Sequence, residues 1–422
     1  MARKLNILQL STYHTSGGAG IAARRLNEAL VRAGQNSWML VPQTDRPEPH
    51  VAGLAETTLE RKMAFARFAL DRLSFWPYEK SKAERFAFSP ARVGTDISRH
   101  PLVQQADILH LHWTQFGFLG LSDMSKLFRL GKPVVWTLHD MWAFTGGCHY
   151  SRGCAHYQTH CHHCPFLRNP GAHDLSYRLF EKKVELYHNA PLTFVTPSKW
   201  LSKSLKVSHL GQPFPVHVLP NPIDSNRFQP AQDRQVVRRQ LGLPLDKKLL
   251  LFGSFNTQDP RKGFRYIQEA LQLQKDRLPD TEIVIFGKSN PEIVNALPLP
   301  VTNLGSITSE EKMIAVYQAA DVLLIPSLED NFPNTIIESL ACGTPVLGFR
   351  TGGIPEQIMH RQTGYLAQLA SAEDLAQGLH WLLTQADLPI MRQNAARHIH
   401  SWLSYEAMAS EFTELYQNLL KA

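Results

Sequence analysis

Short apolar runs alternate with stretches of helical period along the whole chain. Residues 5–10 read as a buried strand and are followed by Gly17-Gly18-Ala19-Gly20. A helix then carries Ala22, Leu26, Ala29, Leu30 and Ala33 on one stripe and stops at Gly34. Further strands are expected at 38–41, 108–113, 133–138 and 192–195. The second half repeats the scheme, with strands at 249–252, 282–286, 322–325 and 345–349 and helices at 310–320 and 334–341. Strands that are apolar on both faces and separated by helices predict an α/β class with parallel sheets. Pro213, Pro215, Pro220 and Pro222 cluster between the two series, as in a linker. The expected division is 1–215, 216–400 and a last helix at 401–422 that crosses back to the first domain.

The length of 422 residues fits two cores better than one. A 43% hydrophobic and 19% charged composition is that of a globular enzyme, and the net charge of +7 favours anionic ligands. No apolar run approaches the ~18 residues of a membrane span, and residues 5–10 are too short for a secretory signal. A cytoplasmic setting is expected.

Chemistry concentrates in the second half. Glu329, Asp330 and Asn331 stand at the mouth of a strand, and Glu338 follows inside the next helix. Carboxylates accept paired hydrogen bonds from vicinal hydroxyls, which suits a sugar and a ribose. The helix start between them offers free N–H groups to a phosphate. Upstream, Asp259-Pro260-Arg261-Lys262-Gly263 places two cations before another helix.

These segments resemble glycosyltransferase family 4, a group with the GT-B fold: two facing Rossmann-like, doubly wound domains with the ligand in the cleft between them. The resemblance extends through Pro220-Asn221-Pro222-Ile223-Asp224. It implies a retaining transfer of a sugar from a nucleotide-sugar donor, with no obligatory divalent metal. Residue by residue, it implies that Glu338 holds the ribose, that Asp330 lies near the transferred sugar and that Lys262 contacts the diphosphate. The chain departs from the family twice. The first acid is an Asp with Glu329 beside it, so either could reach the sugar. Ser254 stands after Gly253 where the family often has Arg, leaving Arg261 as the substitute cation. In the first half, Gly18 falls in a loop that resembles the one approaching donor phosphate or acceptor. His139, at the end of Val134-Val135-Trp136-Thr137-Leu138-His139-Asp140, matches the family's His facing the reacting sugar. His110 and His112 alternate with apolar residues and read as satisfied core histidines.

Cys148, Cys154, Cys161 and Cys164 lie in a loop at 145–167 and are candidate ligands of a structural zinc that would clip the segment after His139. The alternative is reduced or disulfide-paired cysteines. Their spacing matches no nucleic-acid-binding finger, and no nucleic-acid partner is expected. Between 59 and 92, basic residues interleave with Phe65, Phe68, Phe75, Trp76, Phe86 and Phe88, and Leu59, Met63, Ala66, Leu70 and Leu73 form a helical stripe. That stripe either packs on the first domain or lies peripherally on an anionic membrane, where it would meet a lipid-linked saccharide acceptor. The expected role is cell-surface polysaccharide synthesis. Two other readings compete: a non-catalytic nucleotide-sugar-binding subunit and a nucleotide-sugar epimerase.

Overall fold

The computed structural model describes residues 4–256, 259–278, 280–288, 294 and 296–421, with 254–256 and 288 described by backbone alone. The chain forms two compact units, one of residues 1–222 with 405–422 and one of residues 223–404. Each is built on its own parallel sheet.

In the first unit the strands are β1 (Asn6–Leu10), β2 (Asn36–Val41), β3 (Val51–Gly53), β4 (Ile108–Leu111), β5 (Val134–Thr137), β6 (Leu192–Thr196) and β7 (Val216–Val218). They stand in the order β3-β2-β1-β4-β5-β6-β7. Helix α1 (Gly18–Arg32) follows β1 and buries Leu26 and Leu30 against it. Two such leucines contribute roughly 1.5–3 kcal/mol each. The C-terminal helix Tyr405–Leu419 packs on the same face through Phe412 and Tyr416. In the second unit β8 (Lys248–Asn256), β9 (Thr281–Lys288), β10 (Val301–Asn303), β11 (Val322–Ile325), β12 (Val346–Phe349) and β13 (Gly364–Ala367) stand in the order β10-β9-β8-β11-β12-β13.

Strand order reverses direction at β1/β4 and at β8/β11. Open α/β sheets bind ligands outside the carboxyl ends of strands at such switch points. The segments following β4, β5 and β11 therefore have the geometry of site loops.

The observed boundaries differ from those read in the sequence. β7 hydrogen-bonds to β6, so residues 216–222 belong to the first unit. Residues 401–404 stay with the second, where Leu403 O accepts from Ile223 N. The strand expected at 108–113 ends at Leu111.

Candidate functional site

In the second unit, Arg261 and Lys262 sit on a short 3-10 turn, Pro260–Lys262, capped by the Asp259 side chain. Gly263 ends it at φ 67°, and a Cβ there would stand 1.9 Å from Pro326 O. Only glycine lets this turn approach the end of β11 so closely. The approach brings Lys262 Nζ to 2.7 Å from Asp330 Oδ2 and Arg261 NH1 to 3.0 Å from Glu329 O. Gly352 does the same from the other side, at φ 56° with a Cβ position 1.9 Å from Asp330 O. The loop 326–331 is thus pinned between two glycine turns.

Asp330 is buried, whereas Glu329 is half-buried. Burial alone would raise the Asp330 carboxyl, but Lys262 and Arg261 outweigh it and hold the pKa below the usual value. Ser327 Oγ and Asn331 N also donate to this carboxylate, at 3.3 and 3.1 Å. Of the two adjacent acids, Asp330 is the one that the structure ties to the lysine. The helix Asn334–Ala341 begins after Pro333, and Glu338 lies on it, buried, with Oε2 accepting from Tyr317 OH at 2.8 Å. The side chain of Ser254 lies outside the described residues.

In the first unit, Gly18 is exposed in the first turn of α1. His139 follows β5, half-buried, with Nε2 3.0 Å from His112 Nδ1. Burial lowers its pKa to about 4, so the ring is neutral near pH 7. Asp140 accepts from Trp113 Nε1 at 2.9 Å and Trp142 N at 2.8 Å, and lies 2.6 Å from His149 Nδ1. His149 Nε2 in turn lies 2.8 Å from Ser89 Oγ. Asp140 therefore organises the loop and leaves His139 as the ring beside it. His110 and His112 are buried with both ring nitrogens of each partnered. The contact of His112 with His139 was not read from the sequence; the alternation of His110 on β4 with His112 just beyond it was its only signal.

Cys148, Cys161 and Cys164 are buried, Cys154 is half-buried, and all are free thiols. Burial pushes the Cys161 and Cys164 thiols up. Among the described residues, no three His, Cys, Asp or Glu side chains converge into a metal-holding group. Lys183 ties the loop down from beneath. This fully buried lysine donates to Trp142 O, and to Thr145 O at 3.0 Å, and lies 3.5 Å from the Trp142 ring centre.

Helix α2 (Thr58–Phe75) opens on a reciprocal cap between Thr57 and Glu60 and buries only Asp71, Arg72 and Phe75. Phe75 stacks on Phe88 at 4.8 Å, and Arg72 donates to Arg85 O and Phe88 O. The opposite face is bare. Leu59, Met63, Leu70 and Leu73 are 41–67% exposed, Phe65 is 69% exposed, and Arg61 and Lys62 lie exposed beside them. The apolar stripe does not pack on the unit that carries it. No helix among the described residues is long and apolar enough to cross a membrane.

Comparison with known proteins converges on one family. The sequence profile of Glycosyltransferase Family 4 matches residues 16–227, and that of Glycosyl transferases group 1 matches residues 246–385. The first span holds Gly18 and His139; the second holds Lys262, Asp330 and Glu338. The putative colanic acid biosynthesis glycosyl transferase WcaC of Escherichia coli (strain K12) is 24% identical, over 98% of this chain and 100% of its own. A D-inositol 3-phosphate glycosyltransferase of Corynebacterium jeikeium (strain K411) is 31% identical, but over 48% of this chain and 52% of its own, so the likeness spans about half of each. Among solved structures, sucrose-phosphate synthase from Thermosynechococcus elongatus superposes with a TM-score of 0.68 at 20% identity, covering 99% of this chain and 100% of that one. Anabaena Alr3699/HepE in complex with UDP-glucose gives 0.65 at 15% identity, covering 98% and 100%. These likenesses show the GT-B fold. With a family profile matching half of the sequence and two Rossmann-like units beneath it, the chain belongs to glycosyltransferase family 4.

Proposed function

We propose that this glycosyltransferase takes a nucleotide-sugar donor in its second unit and transfers the sugar, with retention, to a glycan or lipid-linked acceptor in polysaccharide synthesis. The observation that carries the reading is the Lys262–Asp330 pair, 2.7 Å apart at the carboxyl end of β11. Breaking the bond between anomeric carbon and phosphate oxygen leaves negative charge on the diphosphate and positive character on the sugar. Lys262 and Arg261 answer the first, and the Asp330 carboxylate answers the second. Glu338, acceptor-only when ionised, suits the ribose hydroxyls. With two side-chain cations meeting the leaving group, turnover is expected to persist in EDTA. The full-length match to a colanic acid biosynthesis protein supports the polysaccharide role. UDP-glucose bound to a protein of the same fold supports a nucleotide-sugar donor. A panel of nucleotide sugars tests the reading. The true donor at 100 times its dissociation constant should add roughly 2.7 kcal/mol of stability. A panel in which no nucleotide sugar shifts the melting curve sinks the proposal. A donor that binds without being turned over on any acceptor would favour the non-catalytic subunit.

The acceptor's setting follows from α2. Its outward stripe of Leu59, Met63, Leu70 and Leu73, with Arg61 and Lys62 beside it, fits the surface of an anionic bilayer. Each basic residue near such a surface contributes about 1 kcal/mol. Binding to vesicles containing phosphatidylglycerol is therefore expected at low salt, falling steeply as salt rises, and lost in Leu70→Glu/Leu73→Glu. Equal, negligible binding to neutral and anionic vesicles would rule the membrane out. A dimer in sedimentation, broken by the same substitutions, would assign the stripe to a second copy.

A further inference from the structure

The face of the first sheet that receives α1 and the C-terminal helix changes character along its length. Ile7, Ile108 and Val135 make it apolar near the start of the strands. Two positions on, Gln9, His110 and Thr137 make it polar, with Gln9 and His110 directly paired in register. His112 and His139 continue the same face beyond the strand ends. Gln9, His110, Thr137 and His112 are all buried, where each polar group needs a partner.

The two buried rings find their partners within the ladder. His110 lies 2.7 Å from both Tyr416 OH and Thr137 Oγ1, which fixes it in the core. His112 stacks between His110 and His139, with ring centres 4.3 and 5.3 Å away. Its Nε2 lies 2.7 Å from Gln9 Oε1, and its Nδ1 lies 3.0 Å from His139 Nε2.

Hydrogen-bond direction follows from chemistry. An amide oxygen can only accept, and a neutral imidazole has one donor and one acceptor nitrogen. His112 therefore donates from Nε2 to Gln9, which leaves its Nδ1 as an acceptor. His139 must then donate from Nε2, and its own lone pair lies on Nδ1. Burial keeps all three rings neutral: it lowers His110 to about 3, His112 well below its usual value and His139 to about 4.

We propose that Gln9 and His112 are positioning residues that fix the ring plane and the Nε2–H tautomer of His139. Their effect on the reaction rests on His139 meeting the sugar, as the family resemblance implies; the tautomer does not. The device is economical in placement. Gln9 is 103 residues from His112 and belongs to β1, so a strand at the switch point sets the chemistry of a loop two strands away.

The test reads tautomer and rate separately. Long-range proton–nitrogen correlation spectra of the full chain, with 15N-labelled histidine and His139 assigned from a His139→Asn variant, should show a protonated Nε2 and a bare Nδ1. Gln9→Leu removes the acceptor that sets the direction. It should mix the His139 tautomers and lower kcat about tenfold, the equivalent of one net hydrogen bond, with donor KM within about twofold. Should Gln9→Leu fail to fold, His112→Asn carries the test: its amide oxygen takes the place of Nδ1 and should keep His139 protonated on Nε2. A His139 ring protonated on Nδ1 in the unaltered protein, or unchanged tautomer and kcat in Gln9→Leu, overturns the proposal. Full activity in His139→Ala would instead overturn the assigned role of His139, while the spectra still decide the tautomer.

Discussion

Lys262→Ala is expected to lower kcat/KM for the donor by about 10- to 150-fold, the loss of one charge-assisted hydrogen bond of roughly 1.5–3 kcal/mol. The fall should appear in kcat as well as in KM, because the diphosphate gains negative charge as the sugar leaves. Glu338→Gln should differ. It keeps an oxygen for the Tyr317 hydroxyl, 2.8 Å away, but removes the charge proposed to hold the ribose hydroxyls. Its loss should fall mainly on donor KM, since that contact is made equally in the ground and transition states. The geometry adds a sharper expectation. Lys262 and Asp330 are in direct contact, and burial makes each the other's counter-ion. Asp330→Asn frees the lysine, and Lys262→Ala leaves a buried carboxylate with Arg261 4.0 Å away as its nearest remaining cation. The two changes should therefore be non-additive, with a coupling of about 0.5–3 kcal/mol in a double-mutant cycle. Steady-state kinetics on the two single variants and the double variant decide this. Strict additivity, or unchanged kinetics in a folded Lys262→Ala protein, would remove the pair from the site.

Most of the fold was legible because central strands of parallel sheets are apolar on both faces. β1, β4, β5, β8, β11 and β12 all show as short buried runs bounded by turn residues. Three of the four edge strands, β3, β7 and β10, are three residues each, only partly buried or exposed, and carry no pattern to read. Missing β7 is what displaced the domain boundary. On α2, periodicity identified an apolar stripe but not its cover; the same spacing serves a buried face and a bare one. The cysteine spacing was equally silent on whether the thiols converge. Site residues divide along the same line. Lys262 and Asp330 are 68 residues apart, and only family resemblance joined them before the structure set them in contact. Gln9 lay beyond both routes, since a polar residue inside a buried strand announces a partner without naming it.

The largest expected effect on stability lies away from the chemistry, at Asp321. This buried residue just before β11 takes hydrogen bonds from Arg238 at 2.8 Å, Arg234 at 2.9 Å and Arg392 at 3.1 Å, and also from Leu249 N at 2.8 Å. It thereby ties β8 to β11 and joins the helices Arg234–Leu241 and Leu388–Trp402 to the strand pair at the switch point of the second unit. The guanidinia also donate to Ala319 O and Ala320 O, so their positions are fixed whether or not the carboxylate is present. Asp321→Ala would leave three cations facing one another around a void. Breaking a buried pair by removing one partner costs about 3–5 kcal/mol. For a unit of this size that corresponds to a fall of roughly 6–20 °C in its melting temperature. Asp321→Asn keeps an oxygen for Leu249 N and should lose less. The effect has a definite pH signature. Burial would raise the Asp321 carboxyl, but the arginines and the Leu249 N–H outweigh it and hold the pKa below the ordinary 3.8. A carboxyl depressed in the folded state stabilises fully above its unfolded pKa and loses that contribution as pH falls through the folded one. The gap between the unaltered protein and Asp321→Ala should therefore be constant from pH 8 to about 5 and should narrow below about pH 4. Calorimetry across that range checks both the size and the sign. A shift under about 2 °C at neutral pH, or a gap that widens in acid, would show that the arginines are satisfied by backbone carbonyls alone and that Asp321 is not their anchor.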